Sequence, residues 1–290
     1  MRDLRPENLT EVFMDYLGDD VEPRTREIVG SLVKHLHDFA RETQLTHDEW
    51  RRGIAFLEAC GEISDAERHE FVLLSDVLGL SSLVDMLHSS PEGTSSSVLG
   101  PFHITGAPPL ALGGDLRGEL QDTLLLVEGH ISSPSGEPIE HATLDIWQTA
   151  PNGLYSSQDP EQDTYSFHGL QTADADGGYR FTTVKPVPYT VPSDGPVGDI
   201  LRSCDRHPWR PSHLHFIVSA PGYRSLVTEV FPDDDPYLDQ DTVFGVRKDL
   251  IMRYERRSPE RFPGEGYVLS GQVSEPFDHV EFNMVLAPQA

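Results

Sequence analysis

The sequence has few basic residues and almost no cysteine. Its 290 residues include 22 lysines and arginines against 48 aspartates and glutamates, which gives a formal net charge of −26. So acidic a chain repels phosphate groups, which excludes nucleic acid and anionic membrane surfaces as expected partners. The two cysteines, Cys60 and Cys204, are far apart in the sequence and predict no disulfide framework.

The sequence also lacks long hydrophobic runs. No stretch approaches the ~20 apolar residues that a helix needs to cross a bilayer. Residues 1–6 carry charges, but no apolar segment follows them, so they do not have the pattern of a signal peptide. We therefore predict a cytoplasmic protein with no membrane insertion.

Apolar residues recur at helical spacing from residue 8 to about residue 90. Ile28, Leu32 and Leu36 form one such stripe. Thr46 and Glu49 have the spacing of a capping box at the start of a helix, and residues 64–67, Ser-Asp-Ala-Glu, repeat that device. These patterns predict a series of helices.

The spacing of apolar residues changes in the second part of the chain. Residues 106–114 are rich in glycine and proline and read as a linker. Alternating patterns then predict strands near 123–131, 142–147, 178–184, 213–219, 225–231 and 279–286. The sequence therefore predicts an α+β fold, with a helical domain over residues 1–105 and an antiparallel β-sandwich catalytic domain over residues 106–290.

The most informative segment is residues 210–215, Arg-Pro-Ser-His-Leu-His, at the start of one of these strands. Side chains two residues apart on a strand share a face, so His213 and His215 are predicted to point the same way. Leu214 and Phe216 would fill the opposite face. Neutral imidazole binds zinc, copper, iron and nickel, so the two histidines form half of a predicted metal site.

Two tyrosines in unusual contexts can supply the other half. Tyr155 follows residues 150–154, Ala-Pro-Asn-Gly-Leu, and Tyr189 lies among prolines that disfavour regular structure. Both phenols are therefore predicted on loops that leave strands, where functional side chains concentrate. A phenolate is a hard anionic ligand, and a bound trivalent metal lowers the pKa of the phenol far below ~10. Ferric iron fits two phenolates and two imidazoles best.

Residues 152–156, the proline-flanked Tyr189 and residues 210–215 together resemble the intradiol ring-cleavage dioxygenases. These are non-haem Fe(III) enzymes that open catechols between their two hydroxyls, and the resemblance covers nearly the whole chain. It implies that Tyr155, Tyr189, His213 and His215 are the four iron ligands. It also implies a homodimer through the N-terminal helices, with phospholipid bound along the interface.

The resemblance assigns catalytic roles as well. Tyr189 corresponds to the ligand that leaves the metal and accepts a substrate proton, while Tyr155 stays bound. Arg210 corresponds to an arginine that stabilises the anionic intermediate, a role that suits a fixed guanidinium. Glu229 stands where catechol-cleaving relatives have glutamine, and we expect it to be protonated, paired with Arg210 or turned away from the substrate.

Substrate choice should depend on the residues that surround the ring. Catechol-type members have proline where this chain has Asp76, whereas hydroxyquinol-type members resemble it there and around Val243. A carboxylate can accept a hydrogen bond from a third hydroxyl, which catechol lacks. We therefore expect hydroxyquinol (1,2,4-trihydroxybenzene) and O2 as substrates, giving 3-hydroxy-cis,cis-muconate or maleylacetate. The residues that the resemblance places around the substrate are Leu73, Asp76, Val98, Gly100, Pro101, Phe102, Val191, Pro192, Arg210 and Val243.

Three alternatives remain open from the sequence. The nearest is cleavage of catechol to cis,cis-muconate by the same chemistry. A zinc hydrolase would use His213, His215 and a carboxylate such as Asp205, with a water on the fourth position. A non-enzymatic β-sandwich binding module would explain the strands but not the proline-flanked Tyr189.

Overall fold

The computed structural model describes residues 2–65, 68–118 and 122–289. The chain divides into two compact units, residues 1–59 and residues 60–290. The second unit holds helices as well as sheets, and the domain boundary at residues 105/106 stays a prediction. The described residues form six α-helices: α1 (Leu9–Asp15), α2 (Pro23–Glu42), α3 (His47–Ile63), α4 (Glu70–Val77), α5 (Leu80–His88) and α6 (Pro196–Ser203).

The helices of the first unit begin at the signals that the sequence contains. Pro23 occupies the first turn of α2, where its missing N–H leaves no intrahelical bond unmade, and the Glu22 side chain accepts from the Thr25 N–H. At α3, the Glu49 carboxylate accepts from the Thr46 N–H at 2.9 Å and the Thr46 hydroxyl accepts from the Glu49 N–H at 3.3 Å. The predicted capping box at Thr46 is confirmed. The second predicted box lies partly outside the described residues, because it includes Ala66 and Glu67.

Two helices of the second unit meet at a glycine. Gly79 separates α4 from α5 and has φ of +76°, a conformation that residues with a Cβ rarely adopt. No single helix in the described part of the chain has the length and apolar composition needed to cross a membrane. Only α4 and α5 taken together, with a sharp bend between them, have that length and composition. Helix α6 was not predicted.

Fourteen strands are present among the described residues, in two large sheets and one small one. The strands are β1 (Pro109–Leu110), β2 (Gly114–Asp115), β3 (Leu124–Ser132), β4 (Thr143–Trp147), β5 (His168–Thr172), β6 (Gly178–Val184), β7 (Tyr189–Thr190), β8 (Trp209–Arg210), β9 (Leu214–Ser219), β10 (Leu226–Pro232), β11 (Ile251–Met252), β12 (Glu255–Arg257), β13 (Phe277–Glu281) and β14 (Met284–Val285). One sheet has the order β1-β5-β4-β9-β10-β11, and the second has the order β12-β13-β3-β6-β2 with β14 also paired to β3. Strands β7 and β8 pair with each other.

The α+β fold is confirmed, with two differences from the prediction. The sheets are mixed: β3 and β6 pair antiparallel, whereas β13 and β14 run parallel to β3. Alternation of apolar side chains shows that a segment is a strand but not the direction of its neighbours, so the expectation of a purely antiparallel sandwich was wrong. The predicted linker at residues 106–114 was also wrong in part, since β1 and β2 form there.

The core lies between the two large sheets and fixes one face of the site strand. Leu214, Phe216 and Val218 of β9 are fully buried and pack into the main apolar cluster together with Phe181 of β6. Burial of a large apolar side chain stabilises the fold by about 1.5–3 kcal/mol. The opposite face of β9 is thereby held in one orientation, and this face carries His215.

Candidate metal centre and active site

The structure brings the four predicted metal ligands together in the second unit. The Tyr155 Oη lies 3.2 Å from the His213 Nε2, 3.0 Å from the His215 Nε2 and 3.3 Å from the Tyr189 Oη. The two Nε2 atoms are 3.1 Å apart. All four side chains are buried. Separations of this size are those of donor atoms that share one cation at about 2.0–2.2 Å.

The proton on His213 is placed by its hydrogen bond to the backbone. Its Nδ1 is 2.7 Å from the Pro211 carbonyl oxygen, and a carbonyl can only accept. Nδ1 therefore carries the hydrogen, and Nε2 presents its lone pair to the centre of the cluster. A metal-binding histidine is held in this way by a bond from its other ring nitrogen.

Both imidazoles are in the neutral form that metal binding requires. Burial, assisted by the Arg210 charge, lowers the pKa of His213 to about 3. Burial also lowers the pKa of His215 to well below its ordinary value, although Glu229 acts in the opposite direction. At neutral pH neither ring has to lose a proton before it can bind a cation.

The two phenols need a cation to ionise. Burial raises the pKa of Tyr155 well above its ordinary value, and burial also raises the pKa of Tyr189, against a lowering by Arg210. A bound metal ion reverses this effect because it stabilises the phenolate directly. Two hard anionic oxygens and two neutral nitrogens form a donor set that fits ferric iron.

Each predicted ligand is positioned by a different local structure. His213 directly precedes β9, and His215 lies on it opposite Trp147 of β4, whose indole stacks on the imidazole with centroids 4.6 Å apart. Gly153 has φ of +79°, and a Cβ there would come within 3.3 Å of the Tyr189 Cβ, so the turn before Tyr155 needs glycine. Tyr189 was expected on an irregular loop but lies on β7, in register with Arg210 of β8.

Arg210 is buried beside the predicted ligands and is held by two carboxylates. Its guanidinium donates to Glu229 at 2.9 and 3.1 Å and to Asp241 at 3.1 and 3.2 Å, and one nitrogen lies 3.2 Å from the His213 Nε2. Burial acts to lower the pKa of Arg210, but Asp241 and Glu229 raise it well above its ordinary value. The side chain is a fixed cation.

Glu229 is paired with Arg210, which was one of the three arrangements expected from the sequence. It is fully buried, and its Oε2 lies 2.6 Å from the Ser97 hydroxyl. Burial alone would raise the pKa of Glu229, but Arg210 and His215 lower it below its ordinary value. Two partners in this network were not predicted: Asp241, which pairs with Arg210, and Ser97, which donates to Glu229. No local pattern connects residues so distant in sequence.

Models of protein families match most of the chain. The family described as "Dioxygenase" matches residues 111–288, and the family described as "Catechol dioxygenase N terminus" matches residues 22–95. The chain belongs to the intradiol dioxygenase family. Members of this family generally contain non-haem iron.

Relatives of this dioxygenase have similar lengths and folds. A 6-chlorohydroxyquinol 1,2-dioxygenase of Cupriavidus pinatubonensis is 45% identical over 89% of this chain and 94% of its own. An intradiol ring-cleavage dioxygenase of Aspergillus niger is 38% identical over 99% of this chain and 86% of its own. The crystal structure of a hydroxyquinol 1,2-dioxygenase from Pseudomonas putida has a TM-score of 0.89 and 41% identity, and covers 98% of this chain and 99% of that chain.

Four of the residues predicted to surround the substrate line one cavity in the dioxygenase. Leu73, Pro101, Phe102 and Pro192 line a space of about 240 Å3, and the Phe102 ring stacks on the Tyr155 ring with centroids 5.0 Å apart. The cavity is thus next to a predicted iron ligand. The other members, Asp76, Val98, Gly100, Val191, Arg210 and Val243, do not line it.

Three of these other members, Gly100, Val243 and Asp76, lie close to the predicted ligands or to Arg210. Gly100 has φ of +72°, and a Cβ there would be 3.8 Å from the His215 ring. The Val243 N–H donates to the Arg210 partner Asp241. Asp76 is buried, and burial raises its pKa, while Ser81 and Arg210 lower it. Asp205 of the zinc alternative is exposed; the carboxylate that clusters with the two histidines is Glu229.

A second cluster of ligand-type side chains in the described chain is satisfied by hydrogen bonds. The carboxylate oxygens of Asp145 lie 2.9 Å from the His103 Nε2 and 2.6 Å from the His168 Nε2. Each ring donates to a different oxygen, so the three groups pair without an ion. No pattern in the sequence indicates this cluster.

Asp145→Asn should destabilise the dioxygenase by about 2 kcal/mol at pH 5, since a pKa shift of one unit is worth ~1.4 kcal/mol. Burial acts to raise the pKa of Asp145, but the two histidines lower it from 3.8 to about 2. A depressed pKa contributes stability above the unfolded value and loses it as pH falls towards the folded one. Urea unfolding should show a difference about half as large at pH 3. An exposed control, Asp163→Asn, should change neither value, and an Asp145 effect that does not depend on pH would contradict the ionic explanation.

Proposed function

We propose that this dioxygenase cleaves hydroxyquinol with O2 between adjacent hydroxyls, using ferric iron held by Tyr155, Tyr189, His213 and His215. The observation that carries the proposal is the convergence of two buried phenols and two neutral imidazoles: the Tyr155 Oη lies 3.0–3.3 Å from the donor atoms of the other three, and the two Nε2 atoms are 3.1 Å apart. The expected product is 3-hydroxy-cis,cis-muconate, which tautomerises to maleylacetate. Catechol is the second candidate substrate.

Two features favour hydroxyquinol over catechol. Hydroxyquinol 1,2-dioxygenases of Nocardioides simplex and Corynebacterium glutamicum are 38% and 40% identical, each over 98% of this chain. Asp76 is a buried acceptor whose pKa responds to Arg210, Glu229 and Asp241, so it lies near the proposed reaction site. A third hydroxyl can donate to this carboxylate, whereas catechol leaves it without a donor from the ring.

The site's own groups hold and move the protons. When bound, a ferric ion supplies the Lewis acidity that favours the substrate dianion and the electron acceptance that makes the ring reactive towards O2. Tyr189, next to Arg210, would take one substrate proton on its phenolate oxygen. Tyr155 stays in place, packed against Phe102.

Arg210 supplies the positive charge for the anionic substrate. Its guanidinium is buried and cannot deprotonate, so it acts as a preorganised cation beside the developing charge. Glu229 and Asp241 fix its plane through four nitrogen–oxygen contacts. The pairing also compensates the Glu229 charge, which otherwise would repel a bound dianion.

We also propose that the enzyme is a homodimer formed through its N-terminal helices. Seven large apolar residues of α2 and α3 are 42–56% exposed in the single chain: Ile28, Leu32, Leu36, Phe39, Trp50, Ile54 and Leu57. An exposed apolar stripe of this kind is typical of a subunit contact. Phospholipid between the two copies is part of the same proposal.

The proposed function predicts a coloured protein. Purified protein should contain one iron per chain and absorb visible light through phenolate-to-iron charge transfer. Tyr155→Phe combined with Tyr189→Phe should abolish the band, because both phenolates are gone. Stoichiometric zinc without iron, or a band that survives the double replacement, would contradict the iron site. Chromatography of the aerobic products should show the ring-opened acid from hydroxyquinol.

A further inference from the structure

The two proposed histidine ligands differ in what their second ring nitrogen faces. The Nδ1 of His213 is bonded to a neutral carbonyl at 2.7 Å. The Nδ1 of His215 is buried and has no hydrogen-bond partner in the described part of the chain. If Nε2 binds a metal, Nδ1 must carry the proton, and this N–H then needs an acceptor.

A carboxylate oxygen lies close to that nitrogen. The Oε1 of Glu229 lies 3.4 Å from the His215 Nδ1, and Glu229 stands directly opposite His215 in the pairing of β10 with β9. Backbone register thus holds the two side chains together. A contraction of a few tenths of an ångström turns this contact into a charge-assisted hydrogen bond.

The carboxylate keeps free capacity for this bond. Its Oε1 accepts from Arg210 at 2.9 Å, while Oε2 accepts from the other guanidinium nitrogen and lies next to Ser97. A carboxylate oxygen accepts two hydrogen bonds, so Oε1 can take the Nδ1–H of His215 without releasing Arg210. Both guanidinium nitrogens of Arg210 stay bonded to Glu229 in this arrangement.

We infer that Glu229 is a positioning residue for His215, whose Nδ1–H it accepts when iron is bound. The inference rests on the proposed ferric site and extends it to a residue outside the ligand set. A carboxylate on the far side of a histidine makes the ring a stronger donor and fixes its orientation. A negative charge there also favours the ferric over the ferrous state.

Glu229→Gln tests the inference because it removes the charge and keeps the shape. Iron affinity, measured by competition with a chelator, should fall about 10–100-fold. The phenolate-to-iron band should move to longer wavelength and the reduction potential should rise, because iron then accepts electrons more readily. If Glu229 served only its ion pair with Arg210, any shift would be no larger than the shift caused by removing the other carboxylate that holds Arg210.

Asp241→Asn is the matched control. Asp241 also pairs with Arg210 through both oxygens, but it forms no ion pair with either histidine among the described residues. Removing its charge should therefore shift the band and the potential less than Glu229→Gln does. Equal shifts in the two variants would show that the lost charge acts through its general electrostatic field and not through the contact with His215. That result would overturn the inference.

Glu229→Asp covers the case in which the glutamine variant does not fold. It keeps the charge for Arg210 but withdraws the carboxylate from His215, so a smaller shift of the same sign is expected. An unshifted band and potential in an iron-loaded variant would overturn the inference. Failure of the ferric proposal itself gives a different result, namely wild-type protein without iron and without a visible band.

Discussion

Tyr189→Phe should retain iron and bind substrate, but it should turn over about 10²–10⁴-fold more slowly than the wild type, the usual range for loss of a proton acceptor. The Tyr189 Oη is 3.3 Å from the Tyr155 Oη, and the Arg210 charge acts to lower the pKa of Tyr189 against the effect of burial. This oxygen can act both as a ligand and as the acceptor of a substrate proton, and phenylalanine can do neither. Stopped-flow spectroscopy under aerobic conditions separates substrate binding from turnover.

Tyr223→Phe is the control for this variant. Tyr223 is a half-buried tyrosine that packs at the edge of the sandwich core, away from the ligands. Its replacement should leave iron content and turnover unchanged. Wild-type turnover in fully iron-loaded Tyr189→Phe would assign the proton acceptor to another group.

Asp76→Ala should reduce the preference for hydroxyquinol over catechol, by up to ~10⁴-fold if the carboxylate is the sole acceptor of the third hydroxyl. The quantity to measure is the ratio of kcat/KM for the two substrates. Alanine is preferable to proline at this position because Asp76 lies inside α4, where proline would remove a backbone hydrogen bond and disturb the helix. Asp76→Asn keeps an acceptor and should retain most of the preference.

A second aspartate provides the control for the substrate experiment. Asp85 on α5 is partly buried, and burial raises its pKa as it does that of Asp76. Asp85→Ala should leave the ratio unchanged. A wild-type ratio below one would favour catechol as the substrate, and an unchanged ratio in Asp76→Ala would show that Asp76 takes no part in the choice.

The strands near the site could be predicted because their side chains alternate. Leu214, Phe216 and Val218 occupy every second position of β9, and this pattern indicates a strand with one face in the core. The four proposed ligands were found through motifs, since the residues after a turn glycine or between prolines are visible in one sequence. The structure then brought these local signals to one point.

Other features depend on tertiary contacts that no local pattern reveals. Asp241 meets Arg210 only because the loop after β10 folds back over β8. Tyr189 belongs to a strand despite its proline neighbours, because its backbone pairs with Arg210. Helix α6 had readable signals in Gly195 and Pro196, but a single short helix between strands is easily taken for a loop.

The two-residue ribbon of β7 and β8 supports one side of the proposed metal site less firmly than a large sheet does. It holds Tyr189 outside both large sheets, whereas His215 lies on β9, an interior strand with a neighbour on each side. Moving His215 would distort a six-stranded sheet, whereas moving Tyr189 would distort only the two-stranded ribbon. If iron is held as proposed, this difference in the scaffold would favour displacement of Tyr189 by an incoming ligand over displacement of His215.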